Sequence, residues 1–255
     1  MTSKKPSKSA GKPATTKKAS KSKPPALSFS ENWELKLGHP GVVVAGVDEV
    51  GRGCLAGPVV AAAVVPPAEI DYERDSWLKE VNDSKELSPE TRERLAPLIR
   101  DWAQAFSIAE ASVEEIDRIN IYHASHLAMV RATETLSIRV QHVLVDGNHT
   151  PKQLKCSATA LVKGDGRVLS IACASILAKV YRDAMMAEFE IRYPGYGFAA
   201  HKGYSTPVHS RALKKIGACE IHRRSFAPVA EALGKKPPAL DAETLFLFDE
   251  KQIHE

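Results

Sequence analysis

The chain lacks the features that mark several specialised classes. Its 255 residues include only four cysteines, Cys54, Cys156, Cys173 and Cys219, and no two are spaced CxxC. This excludes a zinc ribbon, a thioredoxin-like motif and a dense disulfide framework. It fits a reducing compartment, so a cytoplasmic location is expected. No run of about 18 apolar residues occurs, and no membrane contact is expected. Residues 1–30 hold eight Lys but no acid and no Arg. They also lack the apolar core of a secretory signal and the Arg-rich amphipathic pattern of a mitochondrial presequence. A GxxxxGKS/T phosphate loop is missing, and there is no internal repeat.

The formal net charge of +4 is unevenly spread. Residues 31–255 keep 27 basic residues against all 31 acids, so the body is −4 and the leading segment +8. The basicity is no sign of a basic fold. Residues 1–26 contain only Lys, Ser, Thr, Pro, Ala and Gly after the first Met. They are expected to form a disordered tail, because they cannot bury enough apolar surface to offset ordering entropy. Such a tail either attracts nucleic-acid backbone without sequence preference or acts as a solubilising extension. The 44% hydrophobic content supports one large core, expected over residues 27–232, with an acid-rich extension at 233–255.

Strand and helix signals alternate. Val42–Val47 is a β-branched run that meets Asp48-Glu49, a glycine-rich turn follows, and Val59–Val65 reads as a paired strand. Ser88-Pro89-Glu90 starts a helix with Ser as N-cap and Pro in the first turn. Ser112-Val113-Glu114-Glu115 is a capping box opening a helix that runs to about Leu136. Val143–Val145 is a short strand, residues 168–192 are the longest helix, and Thr206-Pro207 opens another that stops at Gly217. The class is α/β.

Three apolar runs end in acid: Asp48 with Glu49, then Asp146, then Asp165 after Leu161-Val162. Strand ends in α/β sheets are where sites are built. If these ends are neighbours, four carboxylates converge, and their mutual repulsion calls for divalent cations. Hard oxygen ligands without Cys suit Mg²⁺ or Mn²⁺, and two such ions suit phosphodiester hydrolysis. Each acid taken alone is equally readable as a turn residue at solvent.

Other features are weaker. The glycines of Gly51-Arg52-Gly53 and Gly57 are spaced GxGxxxG, and a strand follows instead of a helix; both points exclude the dinucleotide fingerprint. The segment reads either as a hairpin loop or as exposed backbone that a ligand can approach closely. His123 and His126 read as a solvated helix face, and Lys179 with Asp183 as a surface ion pair.

Taken together, the motifs resemble type 2 ribonuclease H (ribonuclease HII). The matches are Val47-Asp48-Glu49-Val50-Gly51-Arg52-Gly53 with Ala56-Gly57-Pro58-Val59; Asp83-Ser84-Lys85; Val145-Asp146-Gly147-Asn148; Lys163-Gly164-Asp165; Ala174 through Asp183; His201-Lys202-Gly203-Tyr204; and His222-Arg223-Arg224-Ser225-Phe226. The resemblance implies an RNase H-like fold, a central mixed β-sheet flanked by helices with a C-terminal helical part. It implies cleavage of RNA in RNA/DNA hybrids and incision 5′ of ribonucleotides embedded in duplex DNA, by divalent-metal-activated water, leaving 5′-phosphate and 3′-hydroxyl ends. The family's metal-binding acids fall on Asp48, Glu49, Asp146 and Asp165. Its ribonucleotide-sensing loop falls on Gly51, Arg52 and Gly53, its sugar-stacking tyrosine on Tyr204, and a phosphate-side lysine on Lys85. Residues 1–26 are too short for the folded N-terminal domain of type 3 enzymes. The intact acids oppose a non-catalytic binder, and the Gly51-Arg52-Gly53 and Tyr204 motifs oppose a junction resolvase. Leu245, Leu247 and Phe248 form an LxLF pattern resembling peptides that dock on sliding clamps; the alternative is an apolar tail packed on the body.

Overall fold

β-branched and small apolar runs build a five-stranded sheet in order β3-β2-β1-β4-β5. The strands are β1 (Val44–Val50), β2 (Val59–Val65), β3 (Ala105–Ala111), β4 (His142–Asp146) and β5 (Ser157–Leu161). β1 pairs antiparallel with β2 and parallel with β4; β2–β3 is antiparallel and β4–β5 parallel. This computed structural model describes Met1, Phe29 and residues 31–235. The basic tail apart from Met1, and Leu245, Leu247 and Phe248, lie outside the described residues.

β2 is buried along its whole length, as an uninterrupted Val/Ala run requires. β2 matches the expected Val59–Val65, whereas β1 begins two residues after the expected Val42, and β3 and β5 are strands that no sequence signal marks. The two acids Asp48 and Glu49 stand inside β1, not beyond it.

Helices cover both faces. They are α1 (Trp33–Lys36), α2 (Pro89–Trp102), α3 (Val113–Glu134), α4 (Leu169–Arg192), α5 (Phe198–His201), α6 (Pro207–Ile216) and α7 (Ala227–Ala232). The expected caps form: Ser88 Oγ accepts from Thr91 N, and Ser112 with Glu115 makes a reciprocal capping box. α3 is interrupted at Asn120, whose φ is 60° and ψ 168°. Alternation along β1 divides the core. Ala45 and Val47 pack with Ile116 and Met129 of α3; Val44 packs on the opposite face with Ile171 of α4.

α4 lies very close to the sheet. A Cβ on Gly46 would come within 2.3 Å of the backbone of Ser170 and Ile171. Small side chains, Ala172, Ala174, Ser175 and Ala178, permit this approach and are buried. The first turn of α4 has no side-chain N-cap of its own. Buried Glu34 of α1 fills the role instead, accepting from Ser170 N at 2.9 Å. Beside it, Glu31 makes two contacts with Arg167, at 2.9 and 3.0 Å.

Candidate active site

Parallel pairing of β1 with β4, Val47 opposite Val145, brings the C-terminal ends of these strands side by side. Asp48 and Asp146 are the next residues along. β5 continues the parallel set and leads into a 3-10 turn, Gly164–Gly166, that carries Asp165 to the start of α4. One carboxylate oxygen from each of Asp48, Asp146 and Asp165 lies within 4.8 Å of the other two. The turn is shaped for this: Gly164 N donates to Asp146 Oδ1 at 2.7 Å and Gly166 N to Asp165 Oδ1 at 2.9 Å. A Cβ on Gly164 would meet Ile171 Cδ1 at 2.7 Å.

The fourth acid behaves differently. Consecutive strand residues point to opposite faces, so Glu49 leaves Asp48 behind and turns toward α3. Arg52 bonds it at 2.9 Å, and Arg52 Nε reaches Ser125 of α3 at 3.1 Å. Glu49 is not in the group of three, so the expectation of four convergent carboxylates is met by three. Its Oε2 nevertheless remains buried with no hydrogen-bond partner.

The electrostatics follow from burial of like charges. Burial, then the charges of Asp146 and Glu49, push Asp48 well above the ordinary carboxylate range, although a hydrogen bond from Ser175 opposes this. Burial and Asp146 push Asp165 up to about 6. Burial raises Glu49, against the pull of Arg52. Burial works against the charge of Lys85, but Asp165, Asp83, Asp48 and Asp146 outweigh it and hold its pKa above the ordinary lysine value. Three closely spaced, hard oxygen donors suit a divalent metal ion.

The Gly51–Pro58 loop beside the acids is held from behind. Arg223, fully buried, donates to the carbonyls of Gly51, Arg52 and Gly57 at 2.6 to 2.9 Å. Arg182, also fully buried, donates to those of Ala56, Pro58 and Lys202 at 2.9 to 3.1 Å. Burial pulls Arg223 down to about 9, which leaves it charged at neutral pH. Gly51 has φ +97°, and a Cβ there would strike Arg182 Nε at 2.3 Å, so this position requires glycine. A Cβ on Gly53 would meet nothing within 4 Å, so the tip of the loop faces open space. Cys54 forms a bridge with Tyr204, and Leu55 N donates to Gly203 O at 2.8 Å, which joins this loop to the Tyr204 segment. Tyr204 is 40% exposed, with Lys179 Nζ 5.9 Å from its ring centroid.

Several contributors were not legible from motif reading. Ser84 bonds Ser175 at 2.9 Å and thereby backs the serine that bonds Asp48. Buried Arg92 donates to Ser84 O at 2.7 Å and approaches Asp183 at 3.7 Å. The Lys179–Asp183 pair, 2.8 Å apart, is 15% and 18% exposed, so it is part of this half-buried network and not a surface pair. His126 corrects the solvated-face reading. It is buried against Tyr122, ring centroids 4.3 Å apart, and burial lowers it to about 4.

The model of the ribonuclease HII family matches residues 45–229. The chain belongs to that family. It is 52% identical to Ribonuclease HII of Myxococcus xanthus over 221 residues, covering 84% of this chain and 71% of the relative. Among solved structures it resembles ribonuclease H2 of Pyrococcus horikoshii, with a TM-score of 0.61 and 29% identity over 74% of this chain and 96% of that one. It also resembles the ribonuclease HII of Archaeoglobus fulgidus solved as a complex with PCNA, with a TM-score of 0.57, 25% identity and the same coverages. A ribonuclease HII is a metal-dependent hydrolase with RNase H activity, and the mixed sheet flanked by helices is the expected fold. No described helix is long and apolar enough to cross a membrane.

Proposed function

We propose that the chain cuts the RNA strand of RNA/DNA hybrids and also incises 5′ of single ribonucleotides embedded in duplex DNA, leaving 5′-phosphate and 3′-hydroxyl ends. The observation that carries this reading is the convergence of Asp48, Asp146 and Asp165 within 4.8 Å beside a clamped loop with an open tip. These three, with the orphaned oxygen of Glu49, would hold Mg²⁺ or Mn²⁺. A bound divalent ion supplies water activation and charge stabilisation at the leaving oxygen. Ser175 and the Gly164–Gly166 turn orient the carboxylates. Gly51, Arg52 and Gly53 offer backbone that a ribose 2′-hydroxyl can approach, the group that separates RNA from DNA. Tyr204 offers a ring for the neighbouring sugar, and Lys85 a cation for a phosphate.

The test is cleavage of a DNA duplex carrying one ribonucleotide, with and without Mg²⁺ or Mn²⁺. One cut on the 5′ side of the ribonucleotide, with 5′-phosphate ends and only with metal, is expected. Cutting of an all-DNA control would overturn the reading. The complex of the Archaeoglobus fulgidus relative with PCNA supports a second element, docking of a sliding clamp by Leu245, Leu247 and Phe248. Clamp captured by the full chain should be lost in Phe248→Ala; equal capture by both would remove this element.

A further inference from the structure

Three histidines surround the backbone of Gly203-Tyr204, and none belongs to the acid site. Their ring nitrogens carry a directed set of hydrogen bonds. Cys219 N–H donates to His222 Nδ1 at 3.0 Å, so that nitrogen is an acceptor and the proton of a neutral His222 is on Nε2. His222 Nε2 lies 3.1 Å from His209 Nε2, which must then accept. His209 therefore carries its proton on Nδ1, where it donates to Tyr204 O at 2.9 Å. On the other side, Gly203 N–H donates to His201 Nδ1 at 3.2 Å, and His201 Nε2 donates to Tyr196 O at 2.8 Å.

The assignment closes with one proton per ring and no conflict. A second proton on His209 or His222 would set two N–H groups facing each other at 3.1 Å, or one facing the Cys219 amide at 3.0 Å. Both rings are fully buried, packed against Phe198 and, for His222, Tyr196. His201 stacks on His209 at 4.5 Å. Burial lowers both His209 and His222, the latter to about 4. Meanwhile Tyr204 N–H bonds His201 O, and Gly203 O accepts from Leu55. All four backbone polar groups of Gly203-Tyr204 are thus engaged, two of them by imidazoles. A buried imidazole is a stiff spacer that a longer, more flexible side chain would not replace.

We propose that His209 and His222 are positioning residues: a neutral, directed relay from the Cys219 amide to the Tyr204 carbonyl that fixes the Tyr204 backbone where it pairs with Cys54, and with it the placement of the Tyr204 ring. The proposal rests on the placement of Tyr204 on the substrate side given above. It adds that cleavage at a lone ribonucleotide depends on histidines that touch neither metal nor substrate.

The experiment pairs spectroscopy with a double-mutant cycle. Long-range ¹H–¹⁵N spectra of the wild-type protein at neutral pH should show His209 as the neutral Nδ1–H tautomer and His222 as the neutral Nε2–H tautomer. Either ring charged, or in the opposite tautomer, overturns the relay whether or not any variant folds. His209→Leu should slow cutting at a single embedded ribonucleotide on the order of ten- to a hundredfold, mainly in kcat. His209→Asn, whose amide N–H stands where Nδ1–H stood, should regain most of that loss. In a Tyr204→Ala background His209→Leu should cost nothing more. Additive losses would overturn the proposal while leaving the role of Tyr204 intact. A wild-type rate for Tyr204→Ala itself would overturn the placement of Tyr204, and the relay with it.

Discussion

Two buried charged regions lie side by side in this protein and solve opposite problems. In the acid site, Asp48, Asp146 and Asp165 face one another with Lys85 nearby, yet burial and mutual repulsion still raise Asp48 and Asp165. Behind the Gly51–Pro58 loop, Arg182 and Arg223 are just as buried, yet each guanidinium donates to three main-chain carbonyls. The arginine region is complete as folded. The carboxylate region is complete only with a divalent cation from outside. Charge that shapes a scaffold is neutralised by dipoles the chain already owns. Charge that does chemistry is left in excess, and burying it in that state costs stability.

The contrast is open to test, starting with the largest effect. Asp48→Asn should reduce cleavage on the order of a thousandfold, while the metal-free protein melts no lower than wild type, because one of the repelling charges is gone. A lower melting temperature would mean that Asp48 supports the fold as the arginines do. Arg223→Leu should do the reverse. It strands three carbonyls and should cost about 3 kcal/mol or more in urea unfolding, with the loop's function lost alongside. Arg223→Lys, with one ammonium in place of a fork, should recover only part of that.

The smallest effect is in pH dependence. Folded Asp165 keeps its proton up to about 6, against 3.8 for an ordinary aspartate. Between those values the folded state holds more protons than the unfolded chain, so rising pH weakens it. The melting temperature of metal-free wild type, measured relative to Asp165→Asn, should therefore fall as pH rises through that window and level off above it. Millimolar Mg²⁺ at neutral pH should raise the wild-type value by a few degrees and the variant's by less. A flat difference across the window would place Asp165 outside the repelling group.

Much of the acid site was readable in sequence because its signal is local. An apolar run that stops at Asp says what a strand end holds, and Ser88 and Ser112 announce their helices within four residues. What the reading missed depends on partners distant in the chain. β3 and β5 are edge strands with half-exposed, mixed composition, so neither shows a clean run or alternation. The division between Asp48 and Glu49 needed the strand to extend through both residues; ending it at Val47 hid the alternation that separates them. Arg182 did leave a trace. It follows Ala174 and Ala178 at helical spacing on a buried stripe, and a charge there calls for partners. Those partners, carbonyls more than 120 residues earlier for Pro58 and Ala56, have no sequence signature at all.

The tie from Glu34 to the first turn of α4 has a practical side. The family match begins at residue 45, and a shortened form cut to that boundary would look natural. It would discard Glu34 and Glu31, and with them the anchor of the helix whose Ser175 steadies Asp48. Phe29, 4% exposed and packed with Leu95 and Ile99, would go too. A working fragment is therefore expected to start at or before Phe29, sixteen residues upstream of where the family model's match begins.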